Sequence, residues 1–462
     1  MKTTISNVIT VHDPTPEVKQ WAEKELVLPN PEYAKKERMG YWVGNTPRKL
    51  TLYEQNGFDL ILPFGVLREI WPMVRDSEVK TEFTDHRYIA YSENPLPLYD
   101  YQEEALEAMV LARFGILQSP AGSGKTQIGI ALIQQWNAPA LWLCHTADLL
   151  RQSRERGERY MDKSLIGTIT EGRINIGRGV TFATVQTMCN IDLDRYRHQW
   201  GVIIVDEAHR VSGSPTQMTR YYKVLNALAA RHKYGLTATP DRSDGLIRAT
   251  KALLGEVVYQ VPDEAVAEKI MKVAVKAVPT ETGLTDECLN EDGTLNYTGL
   301  INHLTEDDQR TDLIAKTIER ERDHSCLILS DRILHLQRII EALPEKMREK
   351  AVMIDGTMVS KKAKAEREAA LEQMRTGEKK YLFATYSLAK EGLDIPRLDR
   401  LYLTTPIKYH AVVIQSIGRI ARTFPGKEMP IAYDFVDVRI RYCGRAWKER
   451  CRHYRKAGAM II

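Results

Sequence analysis

The sequence predicts an α/β chain: two tandem doubly wound parallel sheets preceded by a small α+β accessory domain. Three observations predict it. From about residue 96 onward, short apolar runs alternate with helical stretches, as in successive βαβ units. The alternation occurs twice, on either side of an irregular, more polar stretch at 261–309. Residues 1–92 follow neither pattern, being Pro-rich and mixed. The expected divisions are therefore 1–92, 93–262 and 263–462.

In the first repeat, strands are expected at 114–118, 140–144, 180–184, 202–205 and 234–237. The second repeat places them at 326–329, 351–354, 381–384, 400–404 and 431–435, with helices such as 307–322 and 361–375 between. Ahead of both, alternation at 49–53 and 60–62 suggests a small sheet. Here Lys35, Lys36, Arg38, Arg48 and Lys49 are interleaved with Tyr33, Tyr41, Trp42 and Tyr53. That mixture suits a nucleic-acid-binding surface, and it suits equally a small core with a solvated face.

Composition narrows the class without naming a partner. Apolar content of 43% and charged content of 27% are ordinary for a core-forming chain, and a net charge of +4 is mild. Charge is uneven, however. From Arg439 onward there are eight Lys or Arg against the single acid Glu449, so the C-terminal helix could meet a phosphate backbone or merely be solvated. Six cysteines form no CxxC pair, which fits a reducing compartment and excludes a zinc ribbon. No apolar run approaches membrane-spanning length, and the N-terminus has no signal-type apolar core. A cytoplasmic protein without a membrane partner is expected, in the host cytoplasm if a phage encodes it.

Two motifs carry chemistry. Ser119-Pro120-Ala121-Gly122-Ser123-Gly124-Lys125-Thr126 follows an apolar strand and opens a helix. A Gly-containing turn of this kind surrounds a polyphosphate with backbone N–H groups, and the helix dipole adds to the attraction. Lys125 supplies a charge to the β- and γ-phosphates and the Thr126 hydroxyl a ligand for Mg²⁺. The stricter motif has Gly or Ala where this chain has Ser119. Alone, the loop marks only a nucleotide site. The second motif is the run Val202-Ile-Ile-Val-Asp206-Glu207-Ala208-His209, a buried strand that delivers two acids to its carboxyl edge. Asp206 can hold the metal there, and Glu207 can polarise an attacking water.

Further blocks follow in a fixed order: Tyr99-Asp-Tyr-Gln102, Leu143-Cys-His-Thr146, Thr184-Val-Gln-Thr187, Gly235-Leu-Thr237-Ala-Thr239-Pro240, Leu329-Ser330-Asp331, Thr385-Tyr-Ser-Leu-Ala-Lys-Glu-Gly392-Leu-Asp394, and Gln415-Ser-Ile-Gly-Arg419-Ile-Ala-Arg422. Over residues 97–425 this order resembles superfamily 2 helicases and translocases with a DEAH motif. The stretch Thr237-Ala-Thr-Pro-Asp-Arg-Ser-Asp-Gly245 is similar to the XPB/Rad25 branch and to phage UvsW-like recombination helicases.

The resemblance implies two RecA-like domains with ATP held between them, Mg²⁺ as cofactor, and DNA as track. By that resemblance Gln102 reads adenine, and Gln415, Arg419 and Arg422 serve the attacking water and the γ-phosphate. It further implies that Gly392 and Asp394 line the nucleotide and that Thr146, Thr187, Ser330 and Thr385 hold strand phosphates. His209, Thr237 and Thr239 would then couple the two events. Ser416 departs from the Arg or His that often stands beside the glutamine. The expected activity is DNA-stimulated ATP hydrolysis by a monomer that remodels forked or branched DNA, working with replication or recombination proteins. A duplex translocase without strand separation, an RNA helicase and a nucleotide-gated clamp are the alternatives.

Overall fold

The computed structural model of the 462-residue chain describes residues 1–91, 96–120, 122–238, 245–267, 271–356, 358, 361–389, 393, 395–407 and 410–462. Two compact units meet in sequence between Pro262 and Asp263.

In the first unit an eight-stranded sheet runs Arg173–Asn175, Ile166–Thr170, Val180–Thr184, Ala140–Cys144, Val202–Asp206, His232–Thr237, Gly115–Gln118, Val257–Gln260. All neighbours are parallel except the first pair. The four strands from Val180–Thr184 to His232–Thr237 are buried at every residue, so they read as continuous apolar runs with no alternation. Register lines up their carboxyl ends. Asp206 lies beside Leu236, Thr237 beside Gln118, and Thr184 beside Cys144.

Sequence reasoning missed three strands of this sheet, Ile166–Thr170, its antiparallel neighbour Arg173–Asn175, and Val257–Gln260. Ile166–Thr170 is interrupted by Gly167, where a Cβ would fall 2.1 Å from the Gly177 nitrogen, so close backbone approach broke the pattern. Val257–Gln260, at the far edge, pairs with an irregular register.

The same unit includes a five-stranded accessory sheet in the order Glu54–Asn56, Asp59–Pro63, Val8–His12, Lys2–Ile5, Glu78–Thr81. The alternating stretch near residue 50 lies elsewhere. Lys49–Thr51 forms a separate ribbon with Val27–Pro29. The accessory core is shared with the larger sheet's surroundings, because Phe64, Phe114, Ala249 and Ala252 pack in one cluster. Three polar links reinforce that contact. Buried Lys233 donates to the carbonyls of Leu225 (2.8 Å) and Asn7 (3.3 Å). Arg197 donates to Asn7 Oδ1 at 2.7 Å. Arg248 forms two bonds of 2.7 Å with Glu69.

The second unit is a seven-stranded, all-parallel sheet in the order Ala351–Ile354, Tyr381–Thr385, Cys326–Ser330, Arg400–Leu403, Ile431–Asp437, Ala274–Thr280, Met460–Ile461. Ala274–Thr280 corrects the reading of 261–309 as irregular connection. Lys276 and Pro279 disguise it. The edge strand pairs only with Ala274 and Val275, so Pro279 has no ladder partner to satisfy on that side. The helix Arg441–Lys456 is fixed to this sheet from within. Arg450, wholly buried, holds Asp434 through bonds of 2.7 and 2.8 Å, and Tyr454 donates to the same carboxylate. Burial raises the guanidinium's cost, and the Asp434 charge outweighs it, leaving the Arg450 pKa above its ordinary value.

Among the described residues no helix is long and apolar enough to cross a membrane. All six cysteines are free, and Cys144 and Cys326 are buried within strands.

Arg450→Ala leaves Asp434 charged and sealed from water. Urea denaturation is expected to show a loss of about 3–5 kcal/mol, and Arg450→Met combined with Asp434→Leu should recover most of it.

Candidate active site

The phosphate loop joins the strand Gly115–Gln118 to the helix Lys125–Trp136. Gly122 and Gly124 take φ of +86° and +80°, left-handed values that turn the chain into the helix. Gly124 is doubly constrained, since a Cβ there would meet Gln102 Nε2 at 2.4 Å. Gln102 is 1% exposed, and its Oε1 accepts from the Tyr99 N–H at 3.0 Å. Its amide nitrogen is therefore the end that lies against the loop. Lys125 Nζ donates to the carbonyls of Ser119 (3.2 Å) and Pro120 (3.4 Å), which folds the ammonium back over the loop. Ser119 and Ser123 are buried, and the Ser119 N–H donates to the Thr237 carbonyl at 2.9 Å. A serine is accommodated at position 119 because its side chain packs inward.

The acid pair lies two strands away on the same edge. Asp206 Oδ1 accepts the Glu207 N–H at 3.0 Å, and Oδ2 faces Ser153 Oγ at 3.4 Å. Burial, then the neighbouring Glu207, raises the Asp206 carboxyl to about 6, while the Lys125 charge pulls it back. Loop and acid thus share one electrostatic site. Glu207 has φ +53° and ψ 52°, a left-handed conformation that costs a non-glycine residue on the order of 1 kcal/mol or more. It brings the carboxylate round to His209, whose Nδ1 lies 3.2 Å from Glu207 Oε2 and 3.2 Å from Thr237 Oγ1. The acid motif and the end of the His232–Thr237 strand are joined by this one imidazole.

These residues fit a magnesium nucleotide. The loop and the start of its helix offer a phosphate cradle, and Thr126 is the second residue of that helix. Among the described residues no group of three or more His, Cys, Asp and Glu could hold a metal alone. One carboxylate and one hydroxyl suit an ion that takes its remaining ligands from phosphate and water.

The other expected residues are placed as follows. Thr146 caps the helix Ala147–Gly157, accepting from the Leu149 N–H at 3.3 Å. Thr187, on the short helix Val185–Met188, accepts from Thr184 Oγ1 at 3.0 Å. In the second unit Ser330 is buried, its hydroxyl 2.9 Å from His335 Nδ1 and accepting from the Arg332 N–H at 3.2 Å. That hydroxyl is occupied within the fold, which leaves the main chain to meet any phosphate. Thr385 Oγ1 lies 2.9 Å from Ser387 Oγ. Gln415 and Arg419 lie on the helix His410–Ile420, and Arg422 follows it. Arg419 Nη1 donates to the Leu393 carbonyl at 3.2 Å. Ser416 is buried and bonds back to the Val412 carbonyl at 2.7 Å, so the position is internal and could not hold a long cation. Ala121, Thr239, Gly392 and Asp394 lie outside the described residues.

Sequence reasoning missed four contributors. Ser153 shares the buried face of its helix with Leu150 and Gly157, and a polar residue in that apolar register was the available signal. Lys427 Nζ gathers the carbonyls of Pro396, Ile420 and Arg422 at 3.0, 2.7 and 2.7 Å, tying down the chain beside Arg422. Burial, with the Arg422 charge adding to it, lowers this ammonium to about 8. Finally, Arg210 and Arg220 bear on His145, which burial and those cations hold near 4. They make the edge beside Thr146 basic.

Comparison with known proteins places the site in context. Residues 95–242 match the type III restriction enzyme res subunit, and residues 309–424 match the helicase conserved C-terminal domain. The DNA 3'-5' translocase XPB2 of Sulfurisphaera tokodaii is 25% identical over 75% of this chain and 84% of its own length. Probable helicase D10 of Escherichia phage T5 is 26% identical over 78% and 76% respectively. Among solved structures, Saccharomyces cerevisiae Dbp5 bound to RNA and ADP BeF3 superposes with a TM-score of 0.54 at 17% identity, covering 87% of this chain and 94% of that one. This last likeness concerns the fold.

Two outcomes are expected at this site. Gly124→Ala drives a methyl into Gln102, so nucleotide affinity by fluorescence titration should fall at least tenfold. Because the Asp206 carboxyl titrates near 6, protonation below that pH removes its charge. Affinity for magnesium nucleotide should then drop about tenfold per pH unit below about 6, a dependence that Asp206→Asn abolishes.

Proposed function

We propose that this ATP-dependent helicase, which resembles superfamily 2 motors, moves along DNA and remodels forked or branched substrates. The observation that carries this reading is the His209 bridge, which ties the hydrolytic acid pair to Thr237 on the neighbouring strand. A site built only to bind nucleotide has no need of that link. The DNA in the reading is supported by the relatives, one of which is named as a DNA translocase.

In the proposed cycle Lys125 neutralises the β- and γ-phosphates, and Thr126 and Asp206 hold Mg²⁺. Glu207 accepts a proton from the attacking water, which Gln415 orients. Arg419 and Arg422 stabilise charge on the transferred phosphoryl group. When Glu207 changes charge, His209 loses or gains its carboxylate partner, and Thr237 feels the change through the shared imidazole. Thr146, Thr187 and Thr385, with the main chain at Ser330, grip strand phosphates without reading sequence. In the accessory domain, exposed Tyr41 and Trp42 beside Lys35, Arg38, Arg48 and Lys49 supply a further DNA contact. Its shared core makes point substitution the appropriate probe there, since truncation would strip Phe114 and Ala252 of their packing. We further propose that the protein acts as a monomer in replication or recombination.

ATPase rates with single strands, duplex, forks, four-way junctions and RNA test the reading. Stimulation should be strongest with forks or junctions. Arg422→Ala should reduce the stimulated rate by ~10³ or more while the fold survives. A rate indifferent to every DNA would end the motor reading; preference for plain duplex with no strand displacement would favour the translocase alternative, and preference for RNA the RNA helicase.

A further inference from the structure

The helix Arg441–Lys456 is amphipathic in an unusual sense. Arg441, Arg445, Lys448, Arg452 and Arg455 are all exposed. Their spacing of four, three, four and three residues confines them to an arc of roughly 80° on a helix of 3.6 residues per turn. Cys443, Ala446, Arg450 and Tyr454 are buried and centre on the opposite face. The five cations thus form a straight row about 21 Å long at 1.5 Å per residue. Glu449 is the helix's only acid, and none of the five cations forms an ion pair among the described residues.

Helix stability does not account for this row. Like charges three and four residues apart repel, and Arg441 stands at the end of the helix where its dipole disfavours cations. A second sixteen-residue helix of the same unit, Lys361–Thr376, shows the usual solution. It mixes signs, and Arg375 pairs there with Glu368 and Glu372 at 2.9 and 3.0 Å. The unpaired row is also held rigidly, because Arg450 and Tyr454 fasten its underside to Asp434.

We propose that this row is a docking surface for the phosphate backbone of double-stranded DNA. The proposal rests on the DNA-motor reading and adds a surface to it outside the nucleotide site. A rigid line of cations complements a rigid line of phosphates, and every neutralised phosphate releases counterions. A single strand would call for aromatic faces on which bases stack. The stripe offers none. Trp447 packs partly buried against the core, Tyr454 is buried, and Tyr442 lies against Tyr297. The duplex is thus held by its outer charge while the strand contacts proposed above act on it elsewhere.

Fluorescence anisotropy of the full chain with a 30-base-pair duplex, titrated across NaCl concentrations, tests this. The triple variant R445Q/K448Q/R452Q should bind at least tenfold more weakly at low salt. Its slope of log affinity against log salt should be shallower by roughly 2–3, near 0.9 per lost contact. R445K/R452K, which keeps the charge, should retain the parent slope, and a single-stranded oligonucleotide should be affected much less. A thermal melt matching the parent's shows that the helix is intact; if the triple variant misfolds, R441Q/R455Q at the two ends serves instead, with a slope change of up to about 2. An unchanged slope in a folded variant overturns the proposal, as does a selective loss of binding to phosphatidylserine vesicles with duplex binding intact. Either result leaves the motor reading standing if the parent's ATPase still responds to DNA; a parent ATPase deaf to DNA strikes the motor reading itself.

Discussion

Everything in the site follows from a carboxylate placed where water is scarce. Asp206 terminates a strand with no exposed residue, between two others equally buried. Its charge is tolerated because the backbone N–H of Glu207, the Ser153 hydroxyl and the field of Lys125 converge on it. A divalent ion would complete that compensation, so the same desolvation that opposes ionisation favours metal binding. The left-handed turn at Glu207 is a consequence of the geometry. A chain leaving the strand edge must double back at once if the second acid is to reach His209.

Much of this was legible in the sequence, and the reasons differ by element. The inner parallel strands announced themselves because both faces are covered, and a run such as Val202–Asp206 has no polar residue until its end. The loop and acid motif were legible because phosphate chemistry dictates residue types at fixed spacing. What escaped were strands whose identity depends on neighbours. Ile166–Thr170 tolerates glycine because another backbone lies against it, and Ala274–Thr280 tolerates proline because its outer partner is short. Ser153 left only a faint signal, and Lys427 none, for a related reason. Their roles come from carbonyls and carboxylates brought together only in three dimensions. At Ser330, likewise, only the fold shows that the hydroxyl is engaged inward with His335.

The two units manage positive charge in different ways. In the first, Arg197 and Arg248 and the buried Lys233 are spent on joining the accessory sheet to the larger one. In the second, Arg310 and Arg450 are sealed against Asp437 and Asp434, and Arg441, Arg445, Lys448, Arg452 and Arg455 of the last long helix are turned outward. A net charge of +4 conceals this division, because the informative quantity is where each cation has its partner.

The strand His232–Thr237 deserves a mechanical reading. Near its foot, Lys233 grips the accessory sheet at the Asn7 carbonyl, and at its head Thr237 meets His209. The two attachments are about 13 Å apart along an extended, fully buried backbone. The accessory domain and the acid pair are therefore attached to one and the same buried strand.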